Sequence, residues 1–414
     1  MSLPGRRLVA TLGALWVLFA ASLGALAGTL PNSTWVAIKP LPGQGRLAIF
    51  ALAVDPSNNQ SVLAGNSSGR IFRSPDAGGA WTSVHSGSAV ITTIVFSPLK
   101  AGLALAGTHG GGALVSQDGG ATWKAASGLE RRTVRAFGFA IGVMFAGTDQ
   151  GVFSSQDGAA WSPTGLAGRS INSLAVEAIH QPVRVVASTD TTSSAGPQLF
   201  QSLDAGTSWT QLTPPISGTF AVKLVAGPLP PTGNVRPLLA GTNAGLFEST
   251  DNGAGFTPLS GGNLLPTTDY SQLAFIGSHH DRFYAASDGG GSGGGGLWRT
   301  DDGGNSFRSL APPGSSITAL AVSSDESPLL YVATFRTSDH VAELWAFHDT
   351  GNLPQGPATS PSPFASRART SSRATGFKLA DILTYSQLPY VGLGFGAMAV
   401  IITALVAQVR SRRR

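Results

Sequence analysis

Seven aspartates recur along the middle of the sequence and are its clearest candidates for chemistry. Each is followed within two residues by glycine, and six are preceded two residues earlier by Ser or Thr. Carboxylates in such numbers could bind metal ions or act as acids and bases, but a catalytic pair must converge on one substrate. Because the copies stand 39 to 51 residues apart, we expect each carboxylate to stabilise its own turn. The seven are Asp76, Asp118, Asp157, Asp204, Asp251, Asp302 and Asp349.

The full motif reads Ser-x-Asp-x-Gly-x-x-Trp, as in Ser74 to Trp81, and two copies end in Phe. The carboxylate and hydroxyl can hydrogen-bond turn backbone, glycine permits positive φ, and the aromatic ring can pack on a neighbouring repeat. The motif therefore predicts a hairpin turn between a third and a fourth strand. The copy at Asp157 is one residue short, and the copy at Asp349 is degenerate.

The spacing predicts the elements that hold these turns, since one step fits the four short strands of a propeller blade. Apolar runs such as Ile49 to Val54 and Ile317 to Val322 are typical of strands buried near the axis. The seventh motif lacks an outer strand, and Thr34 to Pro40 can supply it, which closes the ring and removes open sheet edges. The predicted fold class is all-β, a seven-bladed β-propeller over residues 34–351 whose N-terminal strand closes the last blade, followed by a C-terminal transmembrane helix.

The repeated residues, as in Ser116 to Trp123, resemble the Asp-box (BNR) repeat over Thr34 to Gly351. The repeat around Leu239 to Asp251 is similar to those of single propellers of the photosystem II assembly/stability factor type, which are non-enzymatic assembly factors. Sialidases and sortilin-type receptors also carry Asp-box propellers. Sialidases use an Arg-Ile-Pro motif that this sequence lacks, and sortilin-type receptors use a cysteine-rich module, whereas this chain has no cysteine. The resemblance therefore implies a binding scaffold.

The predicted topology places other loops at the opposite end of the channel from the motif turns, and we call this end the loop face. Binding residues concentrate on loops of a rigid scaffold, and a ring of mixed charge suits a protein or glycan ligand bound without catalysis. Because Asn and Asp also form turns, each candidate could instead be an ordinary solvated turn residue. The candidates are Asn66, His109, Arg131, Arg132, Asp149, Asp190, Asn243, Asp288 and Arg336.

Two other functions remain open at this stage, an exo-acting glycoside hydrolase and a purely structural surface protein. A hydrolase needs two carboxylates about 5 to 9.5 Å apart, for which Asp149, Asp190 and Asp288 are candidates. No cofactor or metal is predicted. The glycine-rich run 289–296 lacks the Lys-Ser/Thr of a phosphate loop, and His279 to Arg282 has too few nearby ligands for a metal site.

The flanking segments predict a membrane protein with the propeller outside the cytoplasm. Residues 1–28 read as a signal peptide or signal anchor, residues 352–384 as a Pro/Ser/Arg-rich stalk, and residues 385–414 as a transmembrane helix with a basic cytosolic tail. Much of the positive charge lies in these tails, whereas residues 31–351 hold 17 Lys/Arg and 21 Asp/Glu. Nucleic-acid binding is therefore not expected, and the predicted partners are the membrane and a protein or glycan.

Overall fold

A computed structural model describes residues 30–43, 45–177, 182–190, 197–213, 216–218, 221–277, 279–289, 294–336 and 338–351. The predicted signal segment, stalk and transmembrane helix lie outside these ranges and stay predictions. Within the described ranges, no helix is both long enough and apolar enough to span a bilayer.

The described strands form seven four-stranded antiparallel sheets, numbered here as blades one to seven. Blade one contains β2 (Ile49–Asp55), β3 (Asn58–Asn66), β4 (Arg70–Ser74) and β5 (Thr82–Ser86). Blade two contains β6 (Ile91–Phe96), β7 (Ala104–Thr108), β8 (Ala113–Ser116) and β9 (Lys124–Ala125). Blade three contains β10 (Val134–Ala140), β11 (Val143–Thr148), β12 (Gly151–Ser155) and β13 (Ser162–Gly165). Blade four contains β14 (Ile171–Glu177), β15 (Arg184–Thr189), β16 (Gln198–Ser202) and β17 (Thr210–Leu212).

The remaining blades follow the same order from the inner to the outer strand. Blade five contains β18 (Ala221–Ala226), β19 (Leu238–Thr242), β20 (Gly245–Ser249) and β21 (Thr257–Pro258). Blade six contains β22 (Gln272–Ile276), β23 (His279–Ser287), β24 (Gly296–Thr300) and β25 (Arg308–Ser309). Blade seven contains β26 (Ile317–Val322), β27 (Leu329–Arg336), β28 (Val341–His348) and β1 (Trp35–Ala37).

The N-terminal strand β1 is the outer strand of blade seven, which confirms the predicted closure. It pairs antiparallel with β28, so that Trp35 lies opposite Phe347. The Trp35 ring is fully buried 4.9 Å from the Phe347 ring, and its indole N–H donates to the Leu310 carbonyl at 2.7 Å. These contacts join blade seven to the end of blade six, and both β1 and β28 thereby gain a partner.

The seven inner strands contact one another in a closed ring, β2 to β6, β10, β14, β18, β22, β26 and back to β2. The confirmed fold is therefore an all-β, seven-bladed β-propeller. Apolar side chains from facing blades fill the seams between them, as Trp81 does between blades one and seven. In blades one, two, three, four, five and seven the register slips by one residue after the first pair of the inner strand. Such bulges re-aim side chains at the rim of a closed sheet.

Candidate functional site

The repeated aspartates are held in tight turns, where their carboxylates bond to backbone and hydroxyl groups. In blade one, Ser74 Oγ donates to Asp76 Oδ1 at 2.8 Å and accepts the Gly78 N–H at 2.8 Å. The same carboxylate oxygen accepts the Ala80 N–H at 2.8 Å. The pattern of Ser or Thr hydroxyl, carboxylate and glycine N–H recurs at Asp118, Asp157, Asp204, Asp251 and Asp302.

Such hydrogen bonds favour an ionised carboxylate, and the pKa values of Asp118, Asp157, Asp204, Asp251 and Asp302 are lowered accordingly. Partial burial raises the pKa of Asp118, but donors from Thr122 and Ser116 outweigh it and bring the pKa to about 2. The hydroxyl and backbone N–H of Ser208 lower the pKa of Asp204 to about 2. General acid–base catalysis near neutral pH needs a group that titrates there. This geometry therefore fits a turn-stabilising role.

In six of the seven turns the glycine also packs the turn against the preceding blade, whereas a Cβ on Gly351 would meet no atom within 4 Å. Gly120 has φ +83°, and a Cβ placed on it would lie 2.6 Å from Leu63 of blade one. Gly158 likewise faces Leu105 of blade two, at 2.9 Å. The residue must be glycine both for its backbone conformation and for the close approach. The turns therefore act as joints between blades.

The seventh aspartate, Asp349, differs from the expectation that each carboxylate serves only its own turn. Asp349 Oδ1 accepts the Gly351 N–H at 2.9 Å, but it also forms an ion pair with Arg299 Nη1 at 2.6 Å. Tyr284 Oη donates to Asp349 Oδ2 at 2.6 Å, and Arg299 Nη2 donates to the Gly351 carbonyl at 2.8 Å. Asp349 is 0% and Arg299 1% exposed. A buried, fully bonded ion pair thus replaces the Ser-Asp turn in joining blades six and seven.

Asn66 is a turn residue and is not available on the surface. It is fully buried, and its Oδ1 accepts the Ser68 and Arg70 N–H groups, both at 3.1 Å. For Asn66 these contacts favour the alternative that it is a turn residue over a role in ligand binding. A side chain that closes its own turn in this way is engaged before any ligand arrives.

Four predicted candidates come together on the loop face where blades two and three meet. Thr133 links two of them, because its N–H donates to Asp149 Oδ1 at 3.1 Å and its hydroxyl lies 3.5 Å from His109 Nδ1. Arg131 is exposed with φ +61°, and the guanidinium of the half-buried Arg132 lies over the Phe153 ring, 5.9 Å from its centroid. Within the described part of the chain, neither arginine forms an ion pair.

The next connection along the ring carries an arginine in the same arrangement. The exposed Arg169 lies over the Phe200 ring at 4.6 Å from its centroid, and its Nη1 donates to Gln198 Oε1 at 3.2 Å. Stacking on an aromatic ring fixes a guanidinium plane while its edge stays open to acceptors. We call Arg131, Arg132 and Arg169 the arginine cluster.

The other candidates are spread over the loop face. Asp190, Asn243 and Asp288 follow the second strands of blades four, five and six, so each belongs to a different sheet. Arg336, at the end of the second strand of blade seven, pairs with Asp339 at 2.9 Å, and both are exposed.

Asp288 has a neighbour that the sequence did not point to, Asp269. Burial, a hydrogen bond with the Asp288 side chain and the charge of Asp288 raise the pKa of Asp269. Ser287 Oγ also donates to Asp269 Oδ1 at 2.9 Å. Two carboxyl groups in direct hydrogen-bond contact are closer than the roughly 5 to 9.5 Å that separates glycosidase pairs.

Two cations in the innermost strands were missed by the sequence analysis. Arg135 on β10 and Lys223 on β18 both line the central cavity, which has a volume of about 400 Å³. The sequence did carry a signal for them. Leaving aside the terminal residues of the seven inner strands, Arg135 and Lys223 are the only charged residues in those strands. A second cavity, of about 360 Å³, is lined by His279 and Asp281 at the start of the second strand of blade six. Among the described residues, no group of His, Cys, Asp and Glu is arranged to hold a metal ion.

Comparison with known proteins supports the fold and little more. No family model matches the sequence, and no curated protein matches it. The structure of U3-55K superposes with a TM-score of 0.56 at 12% identity, covering 77% of this chain and 100% of that one. The structure of YCF48 bound to D1 peptide superposes with a TM-score of 0.52 at 16% identity, covering 77% and 98%. What they share is the propeller fold.

Glycoside hydrolases of family GH74 also contain propellers. An ancestral GH74 enzyme superposes with a TM-score of 0.42 at 17% identity, covering 74% of this chain. The alignment spans only 55% of that enzyme's length. A TM-score this low, at this identity, supports no conclusion about the present chain.

Proposed function

We propose that this chain is a membrane-tethered, extracytoplasmic Asp-box propeller that acts as a non-catalytic scaffold. Its ligand is an acidic segment of a protein, which binds the loop face where the arginine cluster lies. The observation that carries the proposal is the geometry of Arg132 and Arg169, each stacked on an aromatic ring from the neighbouring sheet.

Stacked arginines suit carboxylate recognition for a physical reason. A guanidinium offers five donors in a planar fork that matches a carboxylate in a bidentate pair. Stacking on Phe153 and Phe200 restricts the side chains before binding, so less conformational entropy is lost when a ligand arrives. Arg131 directly precedes Arg132 in the chain, has positive φ and is exposed to solvent.

Nearby carboxylates are largely engaged with backbone groups. Asp149 accepts the Thr133 N–H, and both oxygens of Glu130 lie 3.0 Å from the Gly128 N–H. They offset part of the positive charge, but within the described ranges they form no ion pair with the arginine cluster. A ligand with its own carboxylates can therefore pair with guanidinium groups that have no ion pair among the described residues.

A glycoside hydrolase is the alternative, and its candidate residues give it little support. Asp149, Asp190 and Asp288 follow the second strands of three different blades, and Asp288 bonds directly to Asp269. YCF48, which shares the fold, is described in complex with D1 peptide. A peptide ligand for the present chain is part of this proposal and does not follow from that likeness.

The proposal is tested by comparing what the full-length protein retains from native membranes with what two variants retain. The Arg131→Ala/Arg132→Ala double variant removes two members of the arginine cluster. Arg308→Ala is the control, because Arg308 is an exposed arginine on the outer strand of blade six. We expect a protein that wild type and the control retain to be lost from the double variant, and added salt to weaken its retention. Equal retention by all three forms would contradict the proposal.

The predicted tether is tested separately. Protease added to sealed spheroplasts should degrade the propeller and leave an epitope at the Arg414 end protected. Protection of the propeller itself would contradict the orientation, whatever the binding experiment shows.

A further inference from the structure

The central cavity of the propeller has one polar wall and one apolar wall. Blades three to six contribute Arg135, Asn172, Ser173, Lys223, Ser271 and Gln272. These blades are consecutive in the ring of inner strands, so their side chains occupy one side of the cavity. Blades seven, one and two contribute mainly aliphatic and aromatic residues, including Ala319 to Val322 and Phe50 to Val54.

The polar wall carries positive charge without a compensating carboxylate. Arg135 and Lys223 are the charged residues among the described residues that line the cavity, and none of that lining is Asp or Glu. Arg135 Nη1 donates to Ser170 Oγ at 2.7 Å, which fixes it at the seam with blade four. Lys223 forms no ion pair or hydrogen bond within the described part of the chain, and burial lowers the pKa of its ammonium group.

A second donor on the same wall also lacks a partner. Asn172 Nδ2 is buried and makes no hydrogen bond in the described structure. Asn172 belongs to blade four and Lys223 to blade five, and their inner strands β14 and β18 pack against each other. Buried donors without partners are rare in native proteins, because the donor has lost its hydrogen bonds to water and gained none in return. An acceptor-rich ligand would satisfy both groups.

The apolar wall restricts what that ligand can be. Phe50 stands where the inner strand of blade one begins, and it is 41% exposed although it is a large aromatic residue. Leu52 and Val54 follow on the same strand among the lining residues, but their side chains pack mainly into the seam between blades one and seven, so Phe50 supplies the main exposed apolar surface of this wall. Small-molecule sites typically have volumes of about 300 to 1,000 Å³, with apolar walls and a few polar groups that orient the ligand.

We propose that the central cavity binds a small organic monocarboxylate, with its carboxylate between Lys223 and Asn172 and its apolar body against Phe50 and the strand that follows it. This site is separate from the loop-face arginine cluster. It uses side chains that the proposed scaffold function leaves without a role.

The probe is sodium benzoate, titrated calorimetrically into the full-length protein in detergent micelles. Benzyl alcohol has the same ring without the charge, and inorganic phosphate has charge without a ring. We expect benzoate to bind with one-to-one stoichiometry and both analogues to bind more weakly.

Variants locate the site. Lys223→Met keeps the length of the side chain and removes its charge, and it should weaken benzoate binding at least about tenfold, because a hydrogen bond to a charged group contributes that much. Lys124→Met, on the outer strand of blade two, is the matched control and should bind as wild type does. Phe50→Ala alters an exposed residue, so it should fold normally while weakening benzoate more than phosphate.

Failure of this site is distinguishable from failure of the scaffold function, because the Arg131→Ala/Arg132→Ala variant should bind benzoate normally. No heat of binding with wild type at millimolar benzoate would overturn the proposal. Undiminished binding by Lys223→Met would overturn it as well, and phosphate binding as tightly as benzoate would overturn the amphipathic character of the ligand.

Discussion

The buried ion pair between Arg299 and Asp349 makes a prediction that can be worked out from its surroundings. Asp349→Ala would remove the buried counter-charge of the Arg299 guanidinium, which is 1% exposed, and would leave it the more exposed Asp301 as its charged partner. Removing one partner of a buried pair costs about 3 to 5 kcal/mol, because the remaining charge stays buried after its main partner is gone. The hydroxyl of Tyr284 would lose its acceptor as well.

A control within the same network separates burial from charge. Asp301 also pairs with Arg299, at 2.9 Å, but it is 34% exposed. Asp301→Ala should cost no more than about 1 kcal/mol, as exposed pairs do. With an unfolding entropy of about 2.1 cal/mol/K per residue, a propeller of about 320 residues shifts its melting temperature by about 1.5 °C per kcal/mol. We therefore expect Asp349→Ala to melt about 4 to 8 °C lower and Asp301→Ala within about 2 °C of wild type.

Thermal unfolding followed by circular dichroism measures both, and urea titration supplies the free energies. Replacing both partners by apolar residues, Arg299→Met with Asp349→Leu, should recover most of the loss, because a buried pair is worth little against a well-packed apolar pair. If Asp349→Ala destabilises no more than Asp301→Ala, the buried pair does not hold this seam and the reasoning is wrong.

Three further predictions concern the turns and the ring closure. Gly120→Ala should destabilise by about 2 kcal/mol more than Gly119→Ala in urea titration, because both have positive φ but only Gly120 would bring its Cβ against Leu63. Equal effects would contradict the role of this glycine in packing its turn against blade one. The pKa of Asp118 is lowered to about 2, so its stabilising contribution is present above about pH 4 and lost as the pH falls through 2; Asp118→Asn should flatten the decline in stability over that range, and an unchanged slope would count against the turn role. Trp35→Ala should cost about 3 to 5 kcal/mol and speed amide exchange along β28, whereas slow exchange there would show that blade seven closes without this ring.

The sequence predicted the architecture well because the repeat turns are local. Ser74, Asp76 and Gly78 hydrogen-bond to one another within five residues. The sequence motif therefore predicts the turn without knowledge of distant contacts. The closing strand was also predictable, since the seventh repeat lacked an outer strand and only the N-terminal segment could supply one.

The site was harder to predict, for two physical reasons. Asn66 illustrates the first reason. The residue types that close turns are also those that bind polar ligands, and only the burial of Asn66 in the structure shows that it closes a turn. Asp349 illustrates the second, since its partner Arg299 is 50 residues away and no local pattern joins them. The cavity cations Arg135 and Lys223 were overlooked because they interrupt apolar runs, although that interruption was itself the signal.

Closure through β1 has a consequence for how the chain is made. The first strand of the propeller, β1, pairs with β28, the last of its strands in sequence, and Ser33 Oγ lies 2.8 Å from Thr350 Oγ1, 317 residues away in the chain. A nascent chain can assemble its early blades while it elongates, but the circle stays open until nearly all of the domain has emerged. Contacts of such long sequence separation slow folding and leave intermediates exposed. A chain whose synthesis stops short of residue 348 therefore lacks the complete β1–β28 pairing that closes the ring. We expect proteases to degrade such truncated products early.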